Sequence, residues 1–114
     1  ETHYFVVAVN QQSQIVGFSS ITPQGYLHSM FVHKDFQGEG IATMLLEEIE
    51  RYAITAGITR ITSEVSLTAR PFFEKKGYAV EKEQKRKANQ LSLTNFLMAK
   101  EVAFLEYYNK KVTD

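Results

Sequence analysis

Hydrophobic and polar positions change their period along the chain. Residues Tyr4 to Val9 (YFVVAV) are β-branched and aromatic and predict a strand. Asn10 to Gln14 is polar and predicts a turn, and Ile15 to Ile21 (IVGFSSI) predicts a second strand, so the pair forms a hairpin. Thr22-Pro23-Gln24-Gly25 puts Pro and Gly where a β-turn uses them. Tyr26 to His33 (YLHSMFVH) predicts a third strand, so the chain opens as an antiparallel meander.

From Ala42 the period becomes helical. Ile41, Met44, Leu45, Ile49, Tyr52, Ala53 and Ala56 recur at three- and four-residue steps, with Thr43, Glu47, Glu50, Arg51 and Thr55 between them. Gly57 suits the left-handed conformation that ends a helix. Ile58 to Val65 predicts a fourth strand, roughly parallel to the third through a right-handed crossover. Ser66 to Lys76 predicts a shorter helix with Thr68 as its cap, Pro71 in its first turn and Gly77 as its stop. Tyr78 to Gln84 and Leu91 to Glu101 predict two more antiparallel strands, and Ala103 to Val112 a terminal helix. The order is β-β-β-α-β-α-β-β, with one domain over 1–102 and a helix or tail over 103–114.

The chemistry concentrates where the third strand gives way to the first helix, at Gln37-Gly38-Glu39-Gly40-Ile41-Ala42. A helix N-terminus leaves backbone N–H groups unpaired and carries a partial positive charge. Glycine lets a large anion approach those donors. The pair therefore points to phosphate binding, or to a tight turn that needs glycine for its backbone angles. A Walker A loop has four residues between its glycines, then Lys-Ser or Lys-Thr, and nothing here fits. The dinucleotide fingerprint requires a third small residue where Thr43 stands, and its fold opens with parallel strands.

Composition adds boundaries. The 114 residues suffice for one core, and 44% hydrophobic with 23% charged residues is ordinary for a soluble globule. The formal net charge is zero, so no whole-molecule field draws nucleic acid or anionic lipid. No apolar run approaches membrane-spanning length and no signal peptide is apparent. Cysteine is absent, which excludes disulfides and thiolate metal sites, and a cytoplasmic location is expected. Lys82-Glu83-Gln84-Lys85-Arg86-Lys87 is the one local charge cluster, read as a solvated strand end or turn.

A third pattern does match. The stretch VHKDFQGEGIATMLL resembles the signature of the GNAT superfamily of acetyl-CoA-dependent N-acyltransferases, whose core Q/R-x-x-G-x-G/A is met by Gln37, Gly40 and Ala42. ARPFFEKKGY resembles the second signature of that family and NFLMAKEV its closing strand, so the resemblance covers roughly residues 3 to 101. It implies an α+β fold of three layers, α/β/α, with a mixed, mostly antiparallel sheet.

The resemblance also implies roles. The pyrophosphate of coenzyme A would lie on the amides of Gln37, Gly38, Glu39, Gly40, Ile41 and Ala42, with Thr43, and no metal is needed. The pantothenate arm would pair with main-chain groups of Met30, Phe31 and Val32, and a bulge in that strand would aim an N–H at the thioester carbonyl. Ser66 would hydrogen-bond the arm, and Ala69, Phe72 and Phe73 would line the coenzyme wall, the two phenylalanines equally reading as core. The reaction implied is direct acetyl transfer from acetyl-CoA to a primary amine by an acyltransferase that moves groups other than aminoacyl.

The chain departs from the family pattern in three places. Phe73 stands where a tyrosine often serves as general acid. The general base is open among Tyr26, at the position of a carboxylate in some members, His28 on the same strand face, and Glu64 near the end of the fourth strand. The strand and two helices with which members usually begin do not stand before the hairpin here, so either the chain is a fragment or it is a short form whose wall comes from elsewhere, such as a partner subunit, and a homodimer is expected. The acceptor is unread. The alternative is a non-catalytic acyl-CoA-binding or sensing module on the same scaffold, and a third reading is an interaction domain without a coenzyme site.

Overall fold

A computed structural model describes residues 3–88 and 91–102. The terminal helix expected over 103–112 lies outside the described residues. The elements are β1 (Tyr4–Val9), β2 (Ile15–Ile21), β3 (Leu27–Val32), a 3-10 turn (Lys34–Phe36), α1 (Ile41–Thr55), β4 (Arg60–Ser66), α2 (Arg70–Lys75), β5 (Ala79–Ala88) and β6 (Leu91–Glu101). The α+β class and the predicted order hold.

The strands form two antiparallel three-stranded units, β1-β2-β3 and β4-β6-β5. Among the described residues they meet at a single parallel bridge between Tyr26 and Thr62. Three contacts make this joint. The Thr62 N–H donates to the Gly25 carbonyl at 3.0 Å. The buried Ser63 hydroxyl donates to the Leu27 carbonyl at 2.9 Å. Gly25 lies so close to β4 that a Cβ there would stand 2.3 Å from the Arg60 carbonyl oxygen. Only glycine permits that approach, and its φ of +93° is also one that glycine adopts freely. Beyond the joint, β3 and β4 diverge.

Both helices pack on one face of the sheet. Tyr4 of β1 stacks on Tyr52 of α1 at 3.8 Å between centroids. At Gly17 of β2 an added Cβ would meet Ile41 and Leu45 of α1 at 3.1 and 3.2 Å, so the absent side chain sets the seat of the helix. Leu45, Leu46, Ile49 and Ala53 are the buried residues of α1. Met44, expected inward from its spacing, is 63% exposed, and Leu46 takes its place. Leu46 falls on the same face as Ile49 and Ala53 by three- and four-residue steps. Each buried Leu or Ile side chain contributes roughly 1.5–3 kcal/mol, and Phe73, Tyr78, Phe96 and Met98 complete the same core.

The opposite face of β1-β2-β3 carries Phe5, Val7, Val9, Phe18 and Phe31, all exposed. The register explains the grouping, since Val7 faces Phe18 and Phe18 faces Phe31 across the strands.

Boundaries differ from expectation in four elements. β3 is Leu27–Val32, since Tyr26 bridges Thr62 of β4 and His33 caps the 3-10 turn. β4, expected over Ile58 to Val65, runs Arg60–Ser66. α2 is six residues long, because Ser66 completes β4 and Leu67 to Ala69 turn between them. Its N-cap is Ala69 rather than Thr68, and the Ser66 hydroxyl takes the Ala69 N–H at 3.1 Å. β5 continues through the charged run to Ala88 because β6 pairs with it along that length, from Lys82 opposite Leu97 to Ala88 opposite Leu91.

Glu50 of α1 ties the helix to the second unit. The buried Tyr78 hydroxyl donates to Glu50 Oε2 at 2.8 Å, and Lys100 Nζ of β6 donates to both carboxylate oxygens at 3.2 Å. Burial first, and the Glu50 charge second, hold the Tyr78 phenol far above its ordinary pKa. The folded chain thus keeps a proton that the unfolded chain releases near pH 10. The stabilisation is full below that pH and is lost as pH rises above it. The expected result is a folding stability that falls above about pH 10, by up to about 1.4 kcal/mol per pH unit from this group, seen as a falling melting temperature. Tyr78→Phe should flatten that fall while costing about 1 kcal/mol at neutral pH. Thermal melts across pH 8 to 11.5 check it, and equal slopes in both proteins would contradict it.

Candidate functional site

The loop after β3 is shaped by its own backbone. Lys34 to Phe36 makes one 3-10 turn, capped by His33 Nδ1 accepting the Asp35 N–H at 3.1 Å. Gln37 returns to extended backbone, and its side-chain Nε2 donates to the Val32 carbonyl at 3.3 Å, pinning the loop to β3. Gly38 and Gly40 have φ of +83° and +82°. A Cβ at either would meet nothing within 4 Å, so packing does not demand these glycines. The left-handed backbone does, and it leaves the approach to the helix open.

Gly40 is the N-cap of α1, with no side chain capping the helix. The first intrahelical bond runs from the Met44 N–H to the Gly40 carbonyl at 3.1 Å. The N–H groups of Ile41, Ala42 and Thr43 are left as open donors at the positive end of a fifteen-residue helix.

These donors border a groove of about 470 Å³ between α1, β3 and α2. Of the expected coenzyme residues it is lined by Met30, Val32, Gln37, Gly38, Gly40, Ile41, Ala42, Thr43, Ala69, Phe72 and Phe73. Glu39 points elsewhere, into a hollow shared with Phe36 and Met44 beside the β1–β2 hairpin. The Phe31 ring lies on the opposite face against Phe18, at 5.4 Å. Phe73 is both wall and core: it is buried, edge-on to Phe72 at 5.4 Å and to Tyr78 at 5.3 Å.

A second cavity, of about 250 Å³, fills the gap where β3 and β4 diverge. Met30, Ala69 and Phe73 line both cavities, so the groove continues into the gap. His28, Glu64 and Ser66 line the second cavity, and Tyr26 lies just beyond it, edge-on to the His28 ring at 6.2 Å. Of the three candidate bases, two thus share a wall and the third touches one of them.

β3 carries a bulge. Ser20 pairs with Ser29, and the next pair is Ile21 with Leu27, which leaves His28 without a counterpart on β2. The bulge stands at the gap, one turn of the strand before Met30, Phe31 and Val32, which pair regularly with β2. The buried Ser19 hydroxyl donates to the Ser29 carbonyl at 2.6 Å, and the Ser20 and Ser29 hydroxyls lie 2.8 Å apart. These serines hold the bulge in shape. Sequence reasoning passed over Ser19, Ser29 and Ser63; the available signal was small polar residues at inward-facing strand positions. Among the described residues no group of three or more His, Cys, Asp or Glu is arranged to hold a metal ion, and no helix is long and apolar enough to cross a membrane.

The comparisons agree with this geometry. The family model for the acetyltransferase (GNAT) domain matches residues 1–101, and the chain belongs to that family. It is 30% identical over 98 residues to the uncharacterized N-acetyltransferase YafP of Escherichia coli K12, covering 86% of this chain and 60% of that protein. It is 32% identical over 74 residues to the peptidyl-lysine N-acetyltransferase YjaB of Salmonella typhimurium, covering 65% of this chain and 49% of that one. A GCN5-related N-acetyltransferase structure from Rhodopseudomonas palustris superposes with a TM-score of 0.78 at 28% identity, covering 87% and 61% of the two chains. The fold is also that of an aminoglycoside 6'-N-acetyltransferase solved with coenzyme A, at a TM-score of 0.76 and 22% identity, covering 88% and 73%. The chain thus spans about half to three fifths of the curated relatives it matches.

The open donors at the mouth of α1 predict a separable effect at Gly40. Gly40→Asn keeps a residue that tolerates the left-handed region and costs about 1 kcal/mol of stability or less. Its side chain stands in the approach to the amides, and coenzyme A affinity should fall at least tenfold by calorimetry. Unchanged affinity would show that the diphosphate does not rest there.

Proposed function

We propose that the chain binds acetyl-CoA in the groove and transfers its acetyl group to a primary amine in the gap between β3 and β4. The observation that carries this reading is the continuity of the two cavities through Met30, Ala69 and Phe73. A diphosphate on the amides of Ile41, Ala42 and Thr43 would anchor one end of the coenzyme. Its arm would run along the free edge of β3 to the bulge, where a backbone N–H can bond the thioester carbonyl as negative charge develops on it.

His28 is the proposed base. It takes a proton from the acceptor amine, the nitrogen adds to the acetyl carbon, the tetrahedral intermediate collapses, and the C–S bond breaks to release coenzyme A as thiolate. Tyr26 and Glu64 remain the alternative proton acceptors on the same wall. Phe73 has no proton to give, so the leaving thiolate takes its proton from water. That missing acid also favours a second reading, an acyl-CoA sensor that does no chemistry.

Acetyl-CoA at a hundred times its Kd should stabilise the chain by about 2.7 kcal/mol in thermal melts, and free thiol should accumulate when an amine panel is added. No thermal shift sinks both readings, and a shift without thiol release leaves the sensor. His28→Ala should lower kcat by about 10²- to 10⁴-fold. An unchanged kcat would pass the role to Tyr26 or Glu64.

We also infer a homodimer, in which a second copy covers the apolar face of Phe5, Val7, Phe18 and Phe31. Sedimentation should give twice the chain mass at micromolar concentration. A monomer with wild-type melting behaviour would refute it.

A further inference from the structure

Where the gap meets the sheet face away from the helices, the side chains are rings. His28 lines the gap cavity and is itself exposed. Two rings stand within stacking distance of it. His3, just before β1, lies 5.4 Å away between centroids and tilted by 50°, and Tyr26 lies 6.2 Å away and edge-on. Both are half-buried. Phe5 of β1 backs His3 at 6.1 Å and is 62% exposed. Tyr26, His28, His3 and Phe5 thus form one chain of rings, which passes the gap at His28 and ends on the apolar patch.

Strand register brings them together. Tyr4 pairs with Ile21 and Ile21 with Leu27, so the start of β1 comes level with the start of β3 across β2. Between them β2 contributes the small, buried Ser20, opposite Phe5 on one side and Ser29 on the other. The two imidazoles, from strands on either side of β2, meet across it.

The cavity beside this row has one carboxylate among its lining residues, Glu64, with hydroxyls and apolar side chains for the rest. An acceptor carrying several cations calls for several carboxylates. What this opening offers beyond one is π-faces, and they are within reach of a molecule in the gap. Rings whose centroids lie about 4.5–7 Å apart attract beyond their apolar contact, by a factor of about two to ten in affinity.

We propose that the acetyl acceptor is an arylalkylamine, and that His3 and Tyr26 determine this preference by stacking on its ring. With His28 as base, the amine nitrogen comes within about 3 Å of the His28 ring. An aryl group joined to that nitrogen through two carbons has its centre about 5 Å away. That length is comparable to the spacing of His3 and Tyr26 from His28, so the aryl group falls in stacking range of these neighbours. A plain alkylamine of the same length gains apolar contact but no stacking. His3 takes no part in the proton transfer, so its variants isolate the stacking.

This inference rests on the acetyltransferase reading, and the test keeps the two failures apart. The acceptors are 2-phenylethylamine and 2-cyclohexylethylamine, matched in spacer and ring size and differing in the π-face. Thiol release gives kcat/KM. Calorimetry on the chain saturated with coenzyme A gives Kd without turnover. The readout is the ratio between the two amines in each protein, because their difference in basicity is the same for every variant and cancels. His3→Ala should move that ratio about two- to tenfold against the phenyl amine, in kcat/KM and in Kd alike. His3→Phe keeps a ring and should hold or raise the wild-type ratio.

An unmoved ratio in His3→Ala overturns the proposal and leaves the rings to the patch alone. The same loss in His3→Phe as in His3→Ala overturns it too, as does the absence of measurable binding of either amine. Should wild type release no thiol with either amine, the transferase reading has failed instead, and the calorimetric ratio decides alone. A shift in His3→Ala that His3→Phe restores then supports a ring-binding gap, and no shift overturns it.

Discussion

The joint between β3 and β4 sets what the rest of the molecule can do. Two antiparallel units are held at one corner by the Gly25 carbonyl, the Thr62 amide and the Ser63 hydroxyl on Leu27. Had the two strands paired along their length, the sheet would be continuous and no gap would exist. Had they not paired at all, the helical face would have no common core. One bridge gives both a shared core and a wedge-shaped opening. Gly25 makes it feasible, because any side chain there would collide with the Arg60 carbonyl.

The opening matters because of what abuts it. α1 starts at the same end of the sheet, and its first-turn amides border the groove that runs into the gap. The glycine loop keeps those amides uncovered, and Gln37 holds the loop against β3. On the far side, the bulge leaves His28 without a counterpart on β2, and His28 lines the cavity. A donor-rich helix mouth at one end and the bulge at His28 at the other are thus joined by an apolar passage. The Glu50, Tyr78 and Lys100 network ties α1 to the second unit.

The two faces of the sheet divide the chemistry. The helical face buries the core and the groove. The other face carries an apolar patch on β1-β2-β3 and, beside the gap, the rings of His3, His28 and Tyr26.

Much of this was legible in the residues themselves. The periods of two and of 3.6 placed β1, β2 and β6 to the residue, and the glycine pair located the helix mouth. Local rules suffice there because strand alternation, helix periodicity and left-handed glycines act over a few residues. Other features depend on segments distant in the chain. Leu46 replaced Met44 inside because its face of the helix is the one the assembled core covers. The charged run became a strand because β6 lay alongside it. The bulge at His28, the seat of Gly25 against Arg60 and the meeting of His3 with His28 across β2 each need a partner strand to exist. The sequence by itself determined the kinds of element and where the backbone can receive an anion. Only the tertiary structure decided which side chains face the same opening, because that follows from strand register and helix rotation, which no single segment encodes.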